Sequence, residues 1–130
     1  MAILDTSFLI NFMHNETRAV ALFEKLERLE PEFYITAPTA TELWRGTIKA
    51  KRQEEEQKKV QELFRTILFL PFDLTAAKRA AELEAVLEKE GISLTIMDLM
   101  IASIALVRDD IVVTNDADFT RVPGLQVLKY

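Results

Sequence analysis

The sequence predicts an α/β fold with a mostly parallel sheet covered by helices on both faces. Short apolar runs alternate along the chain with longer segments of helical period, the order of βαβ units. The runs are continuously apolar, as in strands buried on both sides. The 130 residues, 49% hydrophobic and 28% charged, suffice to bury a core and read as one domain over residues 1–130.

Ala2-Ile3-Leu4 is the first buried strand and ends in an Asp5-Thr6-Ser7 loop. Residues 16–30 place Ala19, Leu22, Phe23, Leu26 and Leu29 on one helical face, and Pro31 stops that helix. Phe33-Tyr34-Ile35-Thr36 is the second strand, closed by Pro38. Thr39 opens a helix that carries Glu42, Leu43 and Trp44, with Gly46 near its end. Residues 49–65 form a strongly charged helix whose apolar stripe is Val60, Leu63, Phe64 and Ile67. Ile67-Leu68-Phe69-Leu70 is the third strand, stopped by Pro71. Asp73 or Thr75 caps a helix through Glu90, with Ala76, Ala80, Leu83 and Leu87 inward and Gly91 as the stop. Residues 93–107 are apolar almost all the way round, which marks a central helix. Ile111-Val112-Val113-Thr114 is the fourth strand, and Leu125-Gln126-Val127-Leu128 the fifth, after a Pro123-Gly124 turn. The chain shows no repeat, linker or low-complexity stretch.

Composition narrows the chemistry. There is no cysteine, and His14 is the only histidine. Thiol nucleophiles, disulfides and cysteine-bound zinc are excluded, and so is any two-histidine mechanism within one chain. Carboxylates dominate what remains: Asp and Glu number 21 against 16 Lys and Arg, a formal net charge of −5. That balance argues against binding nucleic acid through overall charge, but not against a nucleic-acid enzyme with a local basic patch. No apolar run is long enough to span a bilayer, and Met1-Ala2-Ile3-Leu4-Asp5 has no signal-peptide pattern, which predicts a cytoplasmic protein.

Four acids occupy comparable places. Asp5 follows the first strand, and Asp116 follows the fourth, in Thr114-Asn115-Asp116-Ala117-Asp118-Phe119. Glu42 and Asp98 lie in the first turns of their helices. In a parallel sheet these positions share one edge, where function collects. Each acid alone has a plainer explanation. Thr39-x-x-Glu42 and Thr95-x-x-Asp98 fit the capping box, Asp5 could cap a helix, and Asp116 and Asp118 could shape a turn. Together they form a self-repelling cluster that calls for a cation, and oxygen donors suit Mg²⁺ or Mn²⁺. Asp98 adds weight, because a carboxylate in an apolar helix is costly unless paired, although the helix N-terminus lowers that cost.

Here the sequence resembles the PIN-domain ribonucleases, in particular the VapC-type toxins of VapBC toxin–antitoxin systems. The pieces are Ile3-Leu4-Asp5-Thr6-Ser7, Thr41-Glu42-Leu43-Trp44-Arg45-Gly46, Asp98-Leu99-Met100-Ile101-Ala102, and Thr114 to Phe119 with Arg121-Val122-Pro123-Gly124-Leu125. The resemblance runs over essentially the whole chain. It implies a PIN-like three-layer sandwich with a central parallel sheet in order 3-2-1-4-5. It implies that Asp5, Glu42, Asp98 and Asp116 hold Mg²⁺ or Mn²⁺ and cut RNA endonucleolytically, leaving 5′-phosphate and 3′-hydroxyl ends. It also implies a homodimer and a small VapB-type antitoxin that lies over the active site. Asn11 stands where many relatives have an acid, and we do not count it as a ligand.

On this reading metal-activated water attacks phosphorus. Ser7 and Thr114 carry hydroxyls beside the acids and suit carboxylate or phosphate contacts, or purely local caps and turns. Asp118 is a further ligand or, by preference, a turn residue. Arg45, Lys49, Lys51 and Arg52 are the candidate RNA contacts, although a Lys/Glu-rich helix is commonly just a solvated face. Trp44 suits core or interface better than base stacking, and His14 a loop or helix end. Phe8, Leu9, Phe12 and Met13 suit core or a partner-facing surface. A receiver-like Mg²⁺-binding signalling module is the alternative. It needs a mid-chain phosphoacceptor aspartate and a lysine after a late strand, and Leu70-Pro71-Phe72-Asp73 and Lys129 fit poorly. A catalytically inactive PIN scaffold is disfavoured by the intact acids.

Overall fold

Five strands form one parallel sheet in the order β3-β2-β1-β4-β5 in the computed structural model, which describes residues 1–29 and 32–130. The strands are β1 (Ala2–Leu4), β2 (Phe33–Thr36), β3 (Leu68–Leu70), β4 (Ile111–Val113) and β5 (Val127–Leu128). The helices are α1 (Thr6–Met13), α2 (Thr17–Leu29), α3 (Ala37–Ile48), α4 (Gln53–Thr66), α5 (Leu74–Lys89) and α6 (Ile96–Arg108). A 3₁₀ turn spans Ala117–Arg121.

Strand pleating sorts the apolar runs into two cores. Ile3, Tyr34 and Val112 stand side by side and pack against Leu83 and Leu87 of α5 and Ile101, Ala102 and Ala105 of α6. Their neighbours Leu4, Ile35 and Val113 point the other way, onto Phe8 and Leu9 of α1, Leu26 of α2, Leu43 of α3 and Val60 of α4. The central strand β1 is thus buried on both faces, which is why it reads as unbroken apolar sequence.

Several boundaries differ from the sequence expectation. The chain does not loop after Asp5 but enters α1 at once, with Asp5 in extended backbone at the N-cap. Helix α3 begins before Thr39: Thr36 is its N-cap, accepting from the Thr39 N–H at 3.3 Å, and Pro38 lies in the first turn. Proline is tolerated there because that N–H has no helical partner. The charged helix starts at Gln53, not residue 49, and α6 at Ile96, not residue 93. Of the two candidate caps for α5, Asp73 acts, accepting from the Ala76 N–H at 2.9 Å. Leu29 is not inward but 66% exposed. Leu68 and Phe69, read as buried, are 60% and 43% exposed because β3 is an edge strand. The Pro31 stop and Glu30 lie outside the described residues.

Candidate active site

The strand order places β1 beside β4, so the residues that follow them meet at the carboxyl edge. The Asp5 N–H donates to the Val113 carbonyl at 3.1 Å, extending the ladder by one step. The Asp5 carboxylate is only 4% exposed. Its Oδ2 accepts from Thr114 Oγ1 at 2.8 Å and from Ser7 Oγ at 2.9 Å. The carboxylate makes no N-cap hydrogen bond of ordinary geometry to α1, and its close partners are the two hydroxyls. Burial pushes its pKa above the ordinary aspartate value. The Thr114 and Ser7 hydroxyls pull it back in part, and the Asp116 charge adds to the rise.

Asp98 stands in the first turn of α6, with its N–H donating to the Thr95 hydroxyl at 3.2 Å. Its pKa is pushed up to about 6, first by burial and then by the charges of Asp5, Asp116 and Glu42, with the Thr95 hydroxyl opposing. The four acids that the sequence singles out therefore act on one another through space. No lysine or arginine ion pair among the described residues involves any of them.

Glu42 departs from the capping-box alternative. Because the helix starts at Ala37, it lies in the second turn, and its Oε1 accepts from Thr6 Oγ1 at 2.7 Å. The Thr6 hydroxyl also lies 3.3 Å from that of Thr39, which in turn meets Thr36 at 3.3 Å. Thr6 was missed by the sequence reading. Only the immediate start of α1 turns its hydroxyl toward α3.

Asp116 and Asp118 combine turn chemistry with clustering. The Asp116 N–H donates to Thr114 Oγ1 at 3.0 Å, and the Asp118 N–H donates to Asp116 Oδ1 at 2.9 Å. Yet carboxylate oxygens of Asp98, Asp116 and Asp118 all lie within 4.8 Å of one another. Asp118 is thus more than a turn residue in geometry, and its other partner is Arg121 at 3.5 Å. All of these donors are carboxylate oxygens, the set a hard divalent cation takes.

The remaining candidates sort clearly. Arg45, Lys49, Lys51 and Arg52 are exposed. Arg45 and Lys49 follow Glu42 at helical spacing on one face of α3, while Lys51 and Arg52 lie in the link to α4. Arg52 also pairs with Glu55 at 3.6 Å. The half-buried Trp44 packs its ring on Phe64, 6.2 Å between centroids. His14 is the exposed C-cap of α1. Phe8 and Leu9 are core, whereas Phe12 lines a groove of about 500 Å³ with Phe23, Phe33, Leu63 and Ile67. Asn11 donates to the Tyr130 hydroxyl at 2.6 Å.

The chain is similar to known proteins along nearly its whole length. The PIN domain family model matches residues 2–125. Ribonuclease VapC2 of Rickettsia felis is 30% identical over 92 residues, covering 70% of this chain and 69% of that protein. The tRNA(fMet)-specific endonuclease VapC of Shigella flexneri is 30% identical over 124 residues, covering 95% of this chain and 92% of that protein. The crystal structure of DNA-bound VapBC from Salmonella typhimurium is similar with a TM-score of 0.90 at 27% identity, over 98% of this chain and 96% of that one. With the family match running along nearly the whole chain and the acids gathered at the carboxyl edge of a 3-2-1-4-5 sheet, the chain belongs to the PIN-domain family, among the VapC-type ribonucleases.

Proposed function

We propose that this protein is the toxin of a VapBC-type pair, an endoribonuclease that hydrolyses RNA phosphodiester bonds with Mg²⁺ or Mn²⁺. One observation carries the metal: carboxylate oxygens of Asp98, Asp116 and Asp118 lie within 4.8 Å of one another, and no lysine or arginine pairs with Asp5, Glu42, Asp98 or Asp116 among the described residues. Such a cluster costs stability unless a cation joins it. Asp5, Asp98, Asp116 and Glu42 hold the ion on this reading, and Asp118 stands close enough to Asp98 and Asp116 to join them. When bound, the ion supplies a water acidic enough to attack phosphorus near neutral pH and charge to offset the leaving oxygen.

The chain's own groups do the positioning. Thr114 and Ser7 fix the Asp5 carboxylate, and Thr6 fixes that of Glu42. Hydrolysis adds the water oxygen to phosphorus and releases the 3′-oxygen, which takes a proton, leaving 5′-phosphate and 3′-hydroxyl ends. Arg45 and Lys49 continue the Glu42 face of α3 away from the acids, so they meet the RNA backbone, with Lys51 and Arg52 next in line. The protein works in the cytoplasm as a homodimer and is silenced by a small VapB-type antitoxin. No helix among the described residues is long and apolar enough to cross a membrane.

The test is cleavage of structured RNA by protein freed of antitoxin. Activity should require Mg²⁺ or Mn²⁺, vanish in EDTA, and vanish in Asp5→Asn with the fold retained. Toxicity on expression in bacteria should be relieved by the same substitution. Equal cleavage in excess EDTA would sink the metal mechanism.

A further inference from the structure

We propose that Tyr130 is a positioning residue for Asp116, tying the loop that carries this acid to helix α1. The inference rests on the metal-site reading above. The last ladder bond between β4 and β5 runs from the Thr114 N–H to the Leu128 carbonyl at 3.1 Å. Beyond it the loop leaves the sheet. The Asp116 N–H then turns back to Thr114 Oγ1, and the Asp118 N–H to Asp116 Oδ1. Both bonds span two residues and shape the loop locally, while the fully buried Phe119 seats its far end in the core.

On the β4 side of Asp116 a second placing contact is made by Asn115. Its Oδ1 accepts from the Tyr130 backbone N–H at 2.7 Å, across fifteen positions of chain. Tyr130 is itself held at two further points. Its ring meets the fully buried Phe8 ring edge-on, 5.0 Å between centroids and 82° between planes. Its hydroxyl accepts from Asn11 Nδ2 at 2.6 Å. Phe8 and Asn11 both belong to α1, the helix whose Thr6 holds Glu42 and whose Ser7 holds Asp5. Asn11 lies one turn beyond Ser7. One helix therefore serves as the common reference for three acids: Asp5 and Glu42 directly, and Asp116 through Tyr130 and Asn115. This also gives Asn11 a function other than ligation. Its amide anchors the tyrosine that anchors the loop.

The experiment is Mn²⁺ binding to the metal-free full chain by titration calorimetry, paired with thermal unfolding without metal. Tyr130→Ala leaves the N–H at position 130 but frees it from α1. Asn115→Ala, at an exposed position, removes the acceptor and leaves the core untouched. Each should weaken Mn²⁺ binding by about tenfold, the lower end for groups that orient metal ligands. The double variant should bind no more weakly than the weaker single one, because both cut one link. Tyr130→Phe keeps the ring and the N–H but loses the Asn11 bond, and should weaken Mn²⁺ binding by less than Tyr130→Ala. Wild-type Mn²⁺ affinity in Tyr130→Ala and Asn115→Ala, whatever their melting temperatures, would overturn the inference, and so would losses that add in the double variant. If the wild type binds Mn²⁺ and Asp98→Asn does not, such a result refutes the positioning role alone. If the wild type binds no Mn²⁺, the metal reading falls and takes this inference with it.

Discussion

Replacing Asp98 by asparagine should stabilise the metal-free protein at pH 8 while destroying its activity. Asp98 is held at about 6 against 3.8 for an ordinary aspartate. At about 1.4 kcal/mol per pH unit, its ionised form weakens the fold by at most about 3 kcal/mol. Asp98 is only half-buried, and solvent screening brings this to ~1–2 kcal/mol. Asparagine also loses the favourable meeting of a negative charge with the helix N-terminus, about 0.5 kcal/mol. The net gain is about 1 kcal/mol, or ~3–5 °C in melting temperature for a chain of this size. The sign of the pH dependence follows from the raised value. Between 3.8 and about 6 the folded wild type binds more protons than the unfolded chain, so its stability falls as pH rises through that window. Well below pH 3.8 Asp98 is protonated in both states, so the advantage of Asp98→Asn shrinks steadily as pH falls from 6 toward 4. The assay is thermal unfolding of both proteins in EDTA from pH 4 to 8, followed by RNA cleavage with Mg²⁺. An Asp98→Asn protein no more stable than wild type at pH 8, or a difference that does not change with pH, would refute the reasoning.

Three other perturbations test separate parts of the structure. Thr6→Val deprives Glu42 of its 2.7 Å donor and should raise the Mg²⁺ needed for half-maximal cleavage about tenfold, read from activity against metal concentration. Arg45→Ala and Lys49→Ala, made in an Asp5→Asn background, should weaken RNA binding, each lowering the slope of log affinity against log salt by about 0.7. An unchanged slope would remove α3 from the RNA path. Arg108→Ala leaves the buried Asp110 without its 2.7 Å partner and uncovers the Tyr34 ring, over which the guanidinium sits at 4.7 Å. Denaturant unfolding should show a loss of ~2–4 kcal/mol with Mn²⁺ affinity unchanged, because this pair lies away from the acids.

The candidate site was legible where chemistry follows strand ends. Asp5 and Asp116 directly follow apolar runs, and in a parallel sheet those ends share an edge. Asp98 was legible as a charge at the head of an apolar helix. Asp118 is also a candidate in the sequence, but a short Asn-Asp-Ala-Asp stretch is equally what a turn takes, and only the packing sets it beside Asp98. The capping box that Thr39-x-x-Glu42 offers as the plainer alternative for Glu42 fails because Thr39 only mimics an N-cap. The true cap, Thr36, sits before a proline that reads as a stop but serves as an opening residue. The exposure of Leu68 and Phe69 was likewise hidden: an apolar run does not say whether its strand is central or at an edge.

By itself the sequence determined the chemical stock. With no cysteine and one histidine, the side chains left to a catalytic centre are carboxylates, hydroxyls and amines. It also determined the fold class, because hydrophobic period and run length are local properties of the chain. Tertiary structure decided which hydroxyl serves which acid: Thr114 and Ser7 on Asp5, Thr6 on Glu42, Tyr130 through Asn115 beside Asp116. Those pairings depend on β1 lying next to β4 and on α1 starting without a loop. The rise of Asp98 to about 6 depends on the same adjacency, since burial and through-space charge are properties of the packed molecule and not of any segment of it.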